Sequence, residues 1–292
     1  MNMYPASFDY YRPKNLKDAV TLLRKKKDAK LLAGGHSLLP AMKLRVSAPA
    51  AIIDIVRVKG LQGIKVGKSS VKIGALTTHA EVAESGAIGK SCPLLSEAAA
   101  HIGDMQVRNR GTIGGSLAHA DPAADYPTVI VALDADLTAT GPKGSRRIPA
   151  RKFFTDLFTT ALKGSEILTE VSVPVARKGE GAVYLKHRHP ASSYAVVGVA
   201  AIVALKNDHI RSARLVVGGV TPNPLVVGKV QELLAGQKPS PKLFTEAAAL
   251  VAQAIEEPLG DLYASGEYRT HLATVMARRA LQEAAARAKK QK

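Results

Sequence analysis

Two of this chain's glycine pairs stand out, in Ala33-Gly34-Gly35-His36-Ser37 after a strand-like run and in Thr112-Ile113-Gly114-Gly115-Ser116 at the opening of a helix-like one. Lacking a Cβ, glycine leaves room for main-chain N–H groups to converge on an anion, so each segment has the makings of a phosphate nest. Two nests on separate loops point to one ligand with two phosphates, a dinucleotide or a nucleoside diphosphate. Neither is specific alone, because a Gly-Gly pair also serves as a plain turn. No G-x-G-x-x-G follows a strand and no G-x-x-x-x-G-K-[ST] is present, so the cradle is of neither the Rossmann nor the P-loop kind.

The remaining composition narrows the chemistry. With 292 residues, 46% of them hydrophobic, the chain has enough apolar surface for two or three domains or subdomains. Its single cysteine, Cys92, excludes an internal disulfide and an all-cysteine iron–sulfur cluster, which takes about four thiolates. Cys92 itself reads as a small residue before the helix start at Pro93 rather than a reactive thiol. The net charge of +17 could attract nucleic acid or an acidic partner. However, the basic clusters Arg24-Lys25-Lys26-Lys27 and 287–292 suit a helix C-terminus and a solvated tail, and no aromatic residue interleaves with them as a base-stacking platform requires. Nucleic-acid binding is therefore not expected. Met1-Asn2-Met3-Tyr4-Pro5 lacks the basic and apolar regions of a signal peptide, and the most apolar stretch, 194–205, is too short to span a bilayer. The expectation is a cytoplasmic protein with no integral membrane segment.

Local patterns divide the chain. Asn15 precedes a helix over 16–27, strands are expected at 31–33 and 51–55, and the first glycine pair lies between them. Thr78 and Glu81 have the spacing of a capping box for a helix over 79–85, and a second helix runs from Pro93 through Ile102. Residues 117–133 read as largely helical with a break at Asp121-Pro122. Strands at 136–140 and 145–149, a short helix near 151–157 and a strand at 167–173 follow. After a linker at 175–181 come strands at about 182–189, 194–206 and 209–217, with Asn207-Asp208 as a hairpin turn. Helices at 228–236, 241–256 and 266–289 complete an antiparallel sheet with helices on one face. The fold class is α+β.

Read together, Ala33 to Arg45 and Thr112 to Pro127, with its Asp121-Pro122-Ala123-Ala124-Asp125-Tyr126, resemble the FAD-binding medium subunits of the molybdenum hydroxylases, such as those of aerobic carbon monoxide dehydrogenases and aldehyde oxidoreductases. The resemblance extends to Phe8-Asp9-Tyr10-Tyr11-Arg12-Pro13, to Gly164-Ser165-Glu166-Ile167-Leu168-Thr169-Glu170 and to Ala264-Ser265-Gly266-Glu267-Tyr268-Arg269, and so covers nearly the whole chain. It implies a two-subdomain flavin domain of the PCMH or vanillyl-alcohol-oxidase type at 1–177, with subdomains about 1–57 and 58–177. A C-terminal domain like that of carbon monoxide dehydrogenase flavoproteins would occupy 178–292.

The resemblance also implies roles for particular residues. Ala33, Gly34, Gly35, His36, Ser37 and Leu38, with Thr112, Ile113, Gly114, Gly115 and Ser116, would wrap the FAD diphosphate, Ser37 and Ser116 adding hydroxyl donors. Asp125 would contact the cofactor's hydroxyl-bearing chain, or else serve as a helix N-terminal carboxylate. Lys186 would place a cation near the isoalloxazine ring, or else be an exposed strand lysine. Tyr194 would cover one ring face, or be an ordinary strand tyrosine. Leu168 would belong to the apolar wall of the flavin, or to the core. His36, His119 and Asp121 fit no common zinc spacing, and no metal is expected on this chain.

No acid–base pair and no nucleophile motif stand out, as suits an electron-transfer flavoprotein whose substrate chemistry lies on another chain. The implied partners are a small [2Fe-2S] subunit and a large molybdopterin subunit, assembled as a dimer of heterotrimers. The rival reading is a self-contained PCMH-type flavin oxidase or dehydrogenase acting on a small alcohol, for which the C-terminal segment is short. A flavin-free binding module is a third.

Overall fold

The computed structural model describes residues 4–291; the first three residues of the N-terminal stretch and the last residue of the basic tail lie outside the described residues. Asn15 caps helix Leu16–Lys25 by accepting the Asp18 N–H at 2.9 Å, and Ala19 and Val20 bury its inner face. That helix lies between strands Asp9–Tyr11 and Ala29–Leu32 in the chain, and both strands pair in parallel with Ala51–Asp54 at the centre of a three-stranded sheet. The first glycine loop therefore leaves the carboxyl end of a parallel strand, the usual place for a ligand in open sheets of this kind. Strand Asp9–Tyr11 and helix Leu38–Lys43 are additions to what the sequence patterns predict.

A second sheet is antiparallel throughout, with strands in the order Ile64–Val66, Ser70–Gly74, Ile167–Pro174, Asp136–Gly141 and Gly144–Pro149. Thr78 and Glu81 form the expected reciprocal capping box on helix His79–Glu84, and Pro93 opens helix Pro93–Ala100. A short helix, Gly86–Ser91, comes between them under a Ser85 cap. Helix Asp125–Ala132 is buried at every position, because the second sheet's core lies on one side of it and a third sheet on the other.

The third sheet, Glu180–Arg188, Ala195–Lys206, His209–Gly218 and Leu225–Val226, is antiparallel. Asn207 and Asp208 turn its central hairpin with φ of 49° and 62°, the left-handed pair that a type I′ turn requires. Strand Ala195–Lys206 is buried on both faces except at its last residue, since helix Gly266–Lys290 packs on it opposite helix Asp125–Ala132. A Cβ at Gly181 would overlap the Ala284 carbonyl of that long helix, so glycine there permits the close contact.

The mixed α+β architecture is as expected, and two further local differences bear on the sequence reading. Instead of a helix near 151–157 there is one 3-10 turn, Ala150–Lys152, then a ribbon of Phe154–Asp156 against Thr159–Thr160. Adjacent aromatic and β-branched residues favour the extended form there. The helix expected from 117 starts earlier, as Ile113–His119, and stops where Ala120 adopts φ 52° ahead of Pro122.

Candidate functional site

The two glycine loops meet. A Cβ on Gly34 would overlap the Arg110 carbonyl, and it would lie 2.7 Å from the Gly111 Cα; a Cβ on Gly115 would lie 3.8 Å from that of Ala33. Glycine at 34 thus lets one main chain rest directly on another. Gly35, at φ 80°, then turns the chain into helix Leu38–Lys43, whose Leu39 N–H returns to the Gly35 carbonyl at 3.0 Å.

The loops differ in which donors they leave free. Among the described residues, no N–H of residues 33–38 donates to a main-chain or side-chain acceptor, so the first loop keeps a run of donors available. In the second loop the donors of residues 113–116 are engaged, which corrects the expectation of a second main-chain nest at its glycines. Ile113 donates to the Thr77 carbonyl at 3.0 Å and Gly114 to Ala75 at 2.8 Å. Gly115 donates to Thr112 Oγ1 at 3.1 Å and Ser116 to the Thr112 carbonyl at 3.0 Å. Thr112 is the helix cap, and Gly114 lies so close to Ala75 that a Cβ could not be accommodated. What the second loop keeps is a side-chain hydroxyl at half-buried Ser116 and the close approach its glycines allow.

Ser37 makes no capping bond with its hydroxyl, which instead approaches the phenol of Tyr194 from the C-terminal half of the chain. Tyr194 is 40% exposed at the end of a tight turn, in which Ser193 takes φ 60° and the His189 N–H donates to the Tyr194 carbonyl at 2.8 Å. His36 is exposed with its ring 3.3 Å from the Gly34 carbonyl. The structure thus gathers residues 33–38, 112–116 and Tyr194 in one place.

Asp125 stands in the first turn of helix Asp125–Ala132, as its helix N-terminal reading has it, and there meets Lys186. Lys186 Nζ donates to Asp125 Oδ2 at 2.8 Å and to the His101 carbonyl at 3.0 Å, while the Tyr184 hydroxyl donates to Asp125 Oδ1 at 2.7 Å. The Lys186 and Asp125 side chains are 1% and 5% exposed, so neither is an exposed strand lysine or a free carboxylate. Burial pushes the carboxyl up and the ammonium down, and each charge opposes the shift of the other. Two separate buried charges would each cost several kcal/mol, roughly, which favours bringing them together. Leu168 lies 5% exposed in the core of the second sheet, beside a bulge at Thr169.

Several residues around the site carry no sequence signal. Arg110, an exposed residue, meets Gly34 through its main-chain carbonyl. His79 supports Gly111 from behind: it is 5% exposed, its Nδ1 has no partner among the described residues, and burial lowers its pKa to about 4. Tyr184 and the His101 carbonyl complete the Lys186 cluster from positions far apart in the chain. The Cys92 thiol is buried and pushed up to about 11, which leaves it protonated and unreactive. No group of three or more His, Cys, Asp or Glu among the described residues is arranged to hold a metal ion.

Known proteins share this chain's sequence and fold. Residues 6–176 match the family described as FAD binding domain in molybdopterin dehydrogenase, and residues 182–284 match the CO dehydrogenase flavoprotein C-terminal domain. The chain is 41% identical over 286 residues to the carbon monoxide dehydrogenase medium chain of Hydrogenophaga pseudoflava, covering 98% of this chain and 99% of that one. It is 38% identical to the glyceraldehyde dehydrogenase medium chain of Sulfolobus acidocaldarius, covering 97% and 100%. A solved structure of carbon monoxide dehydrogenase from Hydrogenophaga pseudoflava, lacking the Mo-pyranopterin moiety of its molybdenum cofactor, superposes with a TM-score of 0.94 at 38% identity, over 97% of this chain and 99% of that chain. The chain therefore belongs to the family of FAD-binding medium subunits of molybdopterin dehydrogenases.

Proposed function

We propose that this chain holds FAD between residues 33–38 and 112–116 and serves as the electron-transfer subunit of a molybdenum hydroxylase. The carrying observation is the run of N–H groups at residues 33–38 that make no hydrogen bond among the described residues, in a loop that leaves the carboxyl end of a parallel strand and lies against the second loop. These donors and the Ser37 and Ser116 hydroxyls suit a diphosphate. Tyr194, standing over Ser37, is placed to shield one face of a flavin ring from water. Asp125 and Lys186 act as a neutral pair that fixes the wall of the site, with Leu168 backing it from the core.

FAD, when bound, supplies the ability to accept electrons singly and release them as a pair. With only Cys92, this chain cannot ligate an all-cysteine cluster itself, which fits [2Fe-2S] clusters on a small partner subunit and molybdopterin on a large one. The substrate, carbon monoxide, an aldehyde or a heterocycle, would be oxidised on the large subunit, and a quinone, NAD or oxygen would accept the electrons. The proposed assembly is a dimer of heterotrimers working in the cytoplasm; no helix among the described residues is long and apolar enough to cross a membrane. We place the flavin domain at 1–177, with subdomains about 1–57 and 58–177, and the C-terminal domain at 178–292.

Native purification with mass analysis of every chain, a visible spectrum and metal analysis tests this. One FAD per copy, with two further chains carrying iron and molybdenum, is the expected result. A yellow chain that is alone and oxidises alcohols unaided would overturn it.

A further inference from the structure

A cavity of about 310 Å3 lies between the two halves of the chain, where residues 174–180 cross from one sheet to the next. It shares no residue with the glycine loops, Asp125, Lys186 or Tyr194. Its inner wall is apolar, formed by Leu94, Leu133 and Ile202, all nearly fully buried. The protonated Cys92 thiol adds no charge there.

The rim is cationic. Arg177, Arg211 and Lys290 are exposed and Arg214 is half-buried, and among the described residues none of the four has a carboxylate within ion-pair distance. Arg214 anchors one nitrogen on the Ala132 carbonyl at 2.5 Å and remains a partly desolvated guanidinium with no ion pair, the Asp134 and Glu180 carboxylates acting on it only from longer range. Arg287, at the same wall, is already matched by Glu97 and Glu283. The one carboxylate lining the cavity, Glu180, is half-buried and cannot neutralise four cations. An apolar cavity of this size with convergent unpaired charge at its mouth has the make-up of a small-molecule site.

We infer that this cavity binds a small amphipathic anion, a carboxylate or phosphate monoester whose apolar body lies against Leu94, Leu133 and Ile202 while its charge meets Arg177, Arg211 and Arg214. Such a ligand contacts both halves of the chain and bridges the linker between them.

Calorimetry on the native protein, with all its cofactors and partners bound, tests the inference using octanoate and octyl phosphate as probes. Octanol carries the apolar body alone, inorganic phosphate the charge alone, and octyltrimethylammonium the wrong charge. One or both anionic amphiphiles should bind once per chain, at least about tenfold more tightly than any of these three, and the two probes distinguish a carboxylate from a phosphate ligand. The R177Q/R211Q variant, altered only at exposed rim positions, should weaken that binding about tenfold and leave flavin content and unfolding temperature unchanged. Absence of saturable binding, equal binding of octanol, phosphate or the ammonium, or affinity unmoved in the variant would each overturn the inference.

Discussion

The Lys186 ammonium and the Asp125 carboxylate, 61 positions apart in sequence, meet at 2.8 Å with neither side chain more than 5% exposed. Their pairing fastens helix Asp125–Ala132 to strand Glu180–Arg188 and so joins the flavin half to the C-terminal half. Lys186→Met leaves a buried carboxylate held only by Tyr184, and should lower stability by about 3–5 kcal/mol in urea unfolding. The K186M/D125L double variant should be destabilised by less than the sum of the two single changes, because it removes both charges.

Gly34 tests the cradle. A methyl group there would strike the Arg110 carbonyl and push the two loops apart. Gly34→Ala should lower FAD affinity by at least about tenfold, read as flavin absorbance per chain after gel filtration. Gly86→Ala, which has open space around it, is the control and should keep its flavin.

Acid should weaken the fold in two stages. Burial holds His79 near 4 rather than 6.5, so the unfolded chain takes up a proton first and stability declines as pH falls from about 6.5 to about 4, by up to about 3 kcal/mol. His79→Phe should flatten that part of the curve. Glu166, paired with Arg146 at 2.8 Å, is lowered from 4.5 to about 2. Its contribution is complete above 4.5 and disappears as pH falls toward 2. Unfolding temperatures recorded across pH for wild type, His79→Phe and Glu166→Gln check both stages.

Signals carried by a few neighbouring residues were legible in the sequence. Asn15, the Thr78 and Glu81 box, and Asn207-Asp208 each specify a local backbone geometry, and the structure has a helix start, a helix start and a hairpin there. The glycine pairs marked where the loops converge, but not how they differ. That the second loop's N–H groups serve Ala75 and Thr77 is a tertiary fact, set by strands far along the chain. The same holds for Asp125 and Lys186: the sequence leaves each open between a flavin contact and an ordinary helix-start or strand charge, and only the packing of helix on strand shows that they pair. The ribbon at 154–160 was missed because its pairing partner is its own next segment, within a stretch too short for any period to emerge.

Arg269 holds the C-terminal half together from inside. Its guanidinium donates at 2.8 Å to both the Val196 and Gly219 carbonyls and at 2.6 Å to Asp261. Lysine cannot reproduce that fork. Arg269→Lys should cost about 2–4 kcal/mol in denaturant unfolding, and Arg269→Met at least as much, since each leaves buried carbonyls without a donor.

The position of the cofactor in the native assembly, seen by crystallography or cryo-electron microscopy, tests the central claim most directly. The predicted result is FAD with its diphosphate between residues 33–38 and Ser116, taking hydrogen bonds from the N–H groups of the first loop, and with Tyr194 beside the ring. A flavin bound elsewhere on the chain, or a diphosphate making no contact with residues 33–38, would contradict it.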